Sequence, residues 1–164
     1  MKQLIAALMA LILSLTGAQT VPVRTDAALT TFSFTPGGMS TDQIFSYAVY
    51  ERDGRMLADF DLYCRYEIEG VELDAADVEA LRELIDENDL WSWNGFQESN
   101  SYVLDGDSFG LSASFADGTK LSAWGSNAYP KGYSAGAQAI CAYFEALMEK
   151  YGIDPEKMEM AGSE

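Results

Sequence analysis

Histidine is absent from this 164-residue chain, basic side chains number 10 against 26 acidic ones, and cysteine occurs only twice. Without histidine there is no Ser-His-Asp or Cys-His nucleophile pair, no carboxylate-His-zinc site and no histidine pH switch. At a net charge of −16, phosphate-backbone binding lacks the Lys/Arg on which its affinity depends, so no nucleic-acid partner is expected. An anionic membrane surface is disfavoured for the same reason. The apolar content of 48% is that of an ordinary globular domain, so the charge does not argue for disorder. It serves solubility and repels other polyanions.

Long apolar runs are also scarce. Lys2 followed by the apolar stretch Leu4 to Leu15 and by Thr16-Gly17-Ala18 has the layout of a secretory signal peptide over residues 1–18. The run is too short to cross a bilayer comfortably. A cleaved, secreted, extracellular protein exported by the general secretory route is therefore expected, with an uncleaved anchor as the alternative. No cysteine stands at the cleavage region to carry a lipid, so no membrane anchor is expected after cleavage. Residues 19–29 are expected to be a flexible N-terminal segment, 30–151 a single domain, and 152–164 a flexible polar tail.

Within the domain, Thr30 to Thr35 alternates and ends at Pro36-Gly37-Gly38, which predicts a strand. Ile44 to Glu51 and Leu57 to Ile68 alternate about Asp53-Gly54, a hairpin signal. The return strand puts Phe60, Leu62, Cys64, Tyr66 and Ile68 on one face, and Asp59, Asp61, Arg65 and Glu67 on the other. Asp74 offers a helix N-cap, and Val78, Leu81, Leu84 and Ile85 supply helical spacing to about Asn88. Residues 89–107 have no regular period and exceed the usual loop length. Phe109, Leu111, Ala113 and Phe115 form a fourth strand, Asp117-Gly118 a turn and Leu121 to Gly125 a fifth. A second helix runs from about Ser134 to Tyr151. The predicted class is α+β: two layers, an antiparallel sheet of about five strands, and two helices on one face in the order β-ββα-ββα.

Three constellations bear on chemistry. Cys64 and Cys141 both point toward the sheet–helix interface, which permits a disulfide closing a loop of about 77 residues, worth about 4 kcal/mol in the chain-entropy model. Two separate buried thiols are the alternative. In the second constellation, the predicted topology gathers the 89–107 loop, the 125–133 loop, the start of the second helix and the 52–55 hairpin at one end of the sheet. That end would carry Trp91, Trp93, Asn94, Asn127, Tyr129 and Tyr133 as candidate binding residues, together with Phe96, Tyr102, Arg52, Arg55 and Lys131. Rings and amides beside a helix N-terminus are the materials of a ligand cleft. They are equally the materials of a core cap, with Trp91 and Trp93 pinning a long loop. The third constellation is Asp105-Gly106-Asp107-Ser108, which opens like a calcium loop, but the twelfth position is Ala116 where a bidentate Glu is required. A turn is the favoured reading there, with an irregular calcium site the alternative. No metal ligand set and no cofactor are expected.

Leu90-Trp91-Ser92-Trp93-Asn94-Gly95-Phe96, Phe115-Ala116-Asp117-Gly118-Thr119 and Gly125-Ser126-Asn127-Ala128-Tyr129-Pro130 resemble segments of uncharacterised exported proteins and lipoproteins of Gram-positive bacteria. That resemblance implies a cell-envelope or extracellular setting. The function expected is a non-catalytic binding module, monomeric, whose partner is an envelope glycan, peptide or protein. One alternative is a hydrolase acting on a glycan through paired carboxylates, with Asp59 and Asp61 or Asp105 and Asp107 as the pairs. Another is a structural or inhibitory module using its exposed sheet face or edge strand, which a partner mapped to Ser112, Ser114 and Ser122 would favour.

Overall fold

The computed structural model describes residues 24–36, 45–62, 66–102 and 106–154. It is an α+β fold in which one seven-stranded sheet carries two helices. The strands are β1 (Leu29–Thr35), β2 (Phe45–Arg52), β3 (Arg55–Leu62), β4 (Tyr66–Glu72), β5 (Gln97–Ser99), β6 (Ser108–Phe115) and β7 (Lys120–Ser126). Helix α1 (Ala75–Glu87) follows β4, a 3-10 turn (Leu90–Trp93) precedes β5, and helix α2 (Tyr133–Lys150) follows β7. The spatial order is β4-β3-β2-β1-β6-β7-β5. Every pairing is antiparallel except β5 with β7.

Two strands exceed the expected five. The predicted Leu57–Ile68 strand is two, because the chain reverses between Leu62 and Tyr66 and pairs Phe60 with Ile68. Period-two alternation conceals such a reversal: positions 60 and 68 share a face whether the chain runs straight or folds back. The second addition is β5, too short to show a period, which zips onto β7 with Gln97 opposite Trp124 and Ser99 opposite Ser126.

The reversal also relocates a loop. The 52–55 hairpin lies at the opposite end of the sheet from the 125–133 loop, not beside it, since β4 ends against Leu57 and passes directly to Asp74. Its turn residues Asp53 and Gly54 both have positive φ, 55° and 75°, the mirror-image turn that suits strand twist and that Asp-Gly favours. Asp74 caps α1 by accepting from the Asp77 N–H while the Asp77 side chain accepts from the Asp74 N–H, a reciprocal arrangement that satisfies two orphan donors.

One sheet face is covered and the other open. Phe32, Phe34, Tyr47, Val49, Phe60, Leu111, Ala113 and Leu121 form a single core with Leu81 and Ile85 of α1 and Ile140, Phe144 and Leu147 of α2. Phe144 centres it, stacking on Tyr47 at 4.3 Å and meeting Phe60 edge-on at 6.0 Å. Across the helix pair, Asp77 is buried, accepting from Lys150 Nζ at 2.6 Å and from the Tyr151 hydroxyl at 2.6 Å, while the Tyr143 hydroxyl donates to its carbonyl. This network locks the start of α1 to the end of α2. Among the described residues Cys141, half-buried on α2, has no disulfide partner. Burial pushes its pKa up, the Glu145 charge adds to this, and a hydrogen bond with Tyr47 opposes it. Cys64, the expected partner, lies outside the described residues. Residues 24–28 are tied down, with Arg24 paired to Asp89, Thr25 to Asp117 and the Ala28 carbonyl to the Ala116 N–H. No helix among the described residues is long and apolar enough to cross a membrane.

Candidate functional site

The end of the sheet where β7 passes into α2 carries a concavity of about 590 Å³ lined by Asp107, Tyr129, Pro130, Gly132, Tyr133, Ser134 and Ala135. Backbone geometry builds it. Asn127 adopts a left-handed conformation (φ 52°) and its N–H donates to the Asp107 carbonyl at 2.7 Å, tying the approach to β6 against the exit of β7. Asn is one of the few residues that tolerates this conformation. The Tyr133 N–H closes a turn onto the Pro130 carbonyl, and α2 begins with the Gly136 N–H on the Gly132 carbonyl. No side chain among the described residues caps that helix start, so the Ser134 and Ala135 N–H groups are left without intrahelical acceptors.

The rings of the pocket rest on the core. Tyr129 and Tyr133 are 4.6 Å apart, and both pack on buried Phe109, at 5.8 and 4.6 Å. Trp93 underlies the group, 5.5 Å from Tyr133 and 6.1 Å from Phe109. The close approach of α2 to this layer depends on Gly136, where a β-carbon would stand 2.5 Å from the Trp93 ring. Tyr129 remains 41% exposed at the top of the stack. Burial pushes its hydroxyl pKa up, and the negative charge of Asp107 pushes the same way.

The six candidate residues thus divide. Tyr129 and Tyr133 line the concavity. Trp91 and Trp93 are each 1% exposed and belong to the core: Trp91 stacks on Phe115 at 5.0 Å and donates its indole N–H to Asp86 at 2.7 Å. Asn94 is spent on structure, its side-chain Oδ1 accepting from the Ser122 N–H at 2.9 Å as the chain joins β7. Asn127 shapes the rim through its backbone. Of the acidic candidates, Asp59 is also committed, accepting from the Gly70 N–H at 2.7 Å and the Tyr50 hydroxyl at 3.0 Å where β4 bulges. Asp61 is half-buried on the open face, Asp105 lies outside the described residues, and no metal-holding cluster occurs among those described.

Trp124 was not among the candidates. It stands 47% exposed on the open face, opposite Gly110. The signal for it was present: alternation that buries Leu121 and Ala123 must turn residue 124 outward. Around it the open face carries hydroxyls, with Ser33 and Ser112 hydrogen-bonded at 2.8 Å. No family model, curated protein or solved structure matches the chain.

Proposed function

We propose that this protein is an exported, non-catalytic binding module of the bacterial cell envelope or exterior, with its ligand site at the Tyr129–Tyr133 pocket. The observation that carries the reading is the ring stack, in which surface Tyr129 is held through Tyr133 and Phe109 to buried Trp93. A ring immobilised from beneath loses little further freedom on binding, which is what a recognition platform requires. The leader-like residues 1–18 and the resemblance to exported Gram-positive proteins support the setting. A glycan or a peptide suits the site, since tyrosine rings offer both a flat apolar face and a polar edge. A thermal-shift screen against cell-wall fragments, glycans and peptides tests it, because a ligand binding the native state raises the melting temperature. The shift is expected in the parent and lost in Tyr129→Ala, with an unchanged circular dichroism spectrum. A ligand that stabilises both equally sits elsewhere, and the reading fails.

Trp124 favours a second reading, a protein partner docked on the open sheet face beside Ser112, Ser114 and Ser122. Large exposed aromatics are typical anchors of such interfaces. Protection of Trp124 from oxidation by a bound partner, with Tyr129 unaffected, would transfer the assignment to that face.

A further inference from the structure

The wall of the pocket combines three chemistries. Tyr129 and Tyr133 supply ring faces, which attract both C–H groups and cations. The first turn of α2 places Ser134 and Ala135 in the wall, and their N–H groups, lacking intrahelical acceptors, and the Ser134 hydroxyl can donate to the hydroxyl oxygens of a ligand. Asp107 supplies a half-buried carboxylate that makes no ion pair among the described residues. A purely neutral ligand would leave that carboxylate to be desolvated without compensation, at a cost. An anionic ligand would meet it as a like charge, within a chain of net charge −16. Lys131 is exposed in the adjoining loop and is not part of the wall.

Resting on the reading of this pocket as a ligand site, we infer that its ligand is a sugar bearing a free amino group, as in a de-N-acetylated glycan. The ammonium nitrogen meets Asp107, the C–H face of the sugar lies against Tyr129 and Tyr133, and ring hydroxyl oxygens accept from the α2 N–H groups. An N-acetylated sugar offers no positive charge to the carboxylate and is discriminated against.

The test is an NMR titration of the protein at about pH 6, where an amine of ordinary pKa is protonated. The probes are a glucosamine tetramer, its fully N-acetylated counterpart and cellotetraose. The amino tetramer is expected to shift Tyr129 and Tyr133 and to bind about tenfold more tightly than either neutral tetramer, the scale of one charge-assisted hydrogen bond. Asp107→Asn should abolish that preference. Asp53→Asn, which removes the same charge at the other end of the sheet, should retain it. A preference that survives Asp107→Asn is general attraction of a polycation to an acidic chain and overturns the inference. Equal binding of all three tetramers at Tyr129 also overturns it while leaving the pocket reading intact. Shifts at Tyr129 and Tyr133 from wall peptides but from no sugar would likewise overturn the inference alone. A wider panel that leaves both tyrosines unmoved defeats the pocket reading as well.

Discussion

At one end of the sheet a concavity of about 590 Å³ is walled by tyrosines that lean on Phe109 and Trp93. At the other a notch of about 420 Å³ is walled by Arg52, Asp53, Arg55, Leu57, Gly70 and Glu72. Both are concave, and the second gathers two of the chain's ten basic residues, yet they differ in support. Arg55 pairs with Glu72 at 3.2 Å between two solvent-exposed side chains, and Arg52 rides over the Tyr50 ring at 5.5 Å. Such groups hold their positions weakly, because solvent screens the pairing and two long side chains lose entropy in making it. The tyrosine end is positioned by packing that continues into the core. A recess becomes a credible site when its wall is anchored from behind, and only one of these two is.

The comparison can be broken most forcefully at the anchor. Trp93→Ala should destabilise the fold by about 3–5 kcal/mol, the range for deleting a buried tryptophan, and remove ligand binding together with it. Chemical denaturation measures the first; an unchanged midpoint would show that the stack does not depend on the core. At the hairpin end the buried charged side chain among the described residues is Asp77, whose carboxylate accepts from Lys150, from the Tyr151 hydroxyl and from the Asp74 backbone N–H. Asp77→Ala should cost about 2 kcal/mol through lost charge-assisted hydrogen bonds.

The same network sets a pH window. Hydrogen bonding with Lys150, then with the Asp77 N–H, holds the Asp74 carboxyl below its ordinary value of 3.8, so its stabilisation is present above that value and fades as pH falls through the depressed one. Hydrogen bonds to Asp74 and Asp77 raise Lys150 above its ordinary 10.5, so its contribution is complete below 10.5 and fades as pH rises through the raised value. The difference in melting temperature between the parent and Lys150→Met should therefore stay constant between these limits and narrow as acid titrates Asp74. A difference that grows in acid would contradict the assignment.

Smaller effects sharpen the contrast. Tyr129→Ala should cost no more than about 1 kcal/mol in stability, since the ring is partly exposed, while abolishing the ligand-induced thermal shift. Arg55→Gln should lie within about 0.5 kcal/mol of the parent, as exposed ion pairs generally do. A larger loss would mean that the notch is better anchored than its exposure suggests.

Much of the local structure was legible. Alternation set Phe109, Leu111, Ala113 and Phe115 on one face and Ser112 and Ser122 on the other, and the first four are buried and the two serines exposed. Asp74 and Asp53-Gly54 marked a helix start and a turn through chemistry confined to a few neighbouring residues. The site was legible in part. Joining the 125–133 loop to the start of α2 pointed to Tyr129 and Tyr133, and Trp93 does lie beneath them. Indole rings next to a long loop read alike whether they cap a core or face a ligand, so Trp91 and Trp93 could not be sorted without their neighbours.

The sequence by itself determined the class of fold, the two faces of the sheet and the ends of its helices, because side-chain period, capping and turn preference act over fewer than about ten residues. The tertiary structure alone decided that Leu57–Ile68 folds back, which loops share an end, and which aromatic rings reach the surface. An even-numbered reversal preserves alternation, and the burial of a ring is settled by side chains remote in sequence, as Gly136 settles how closely α2 descends on Trp93.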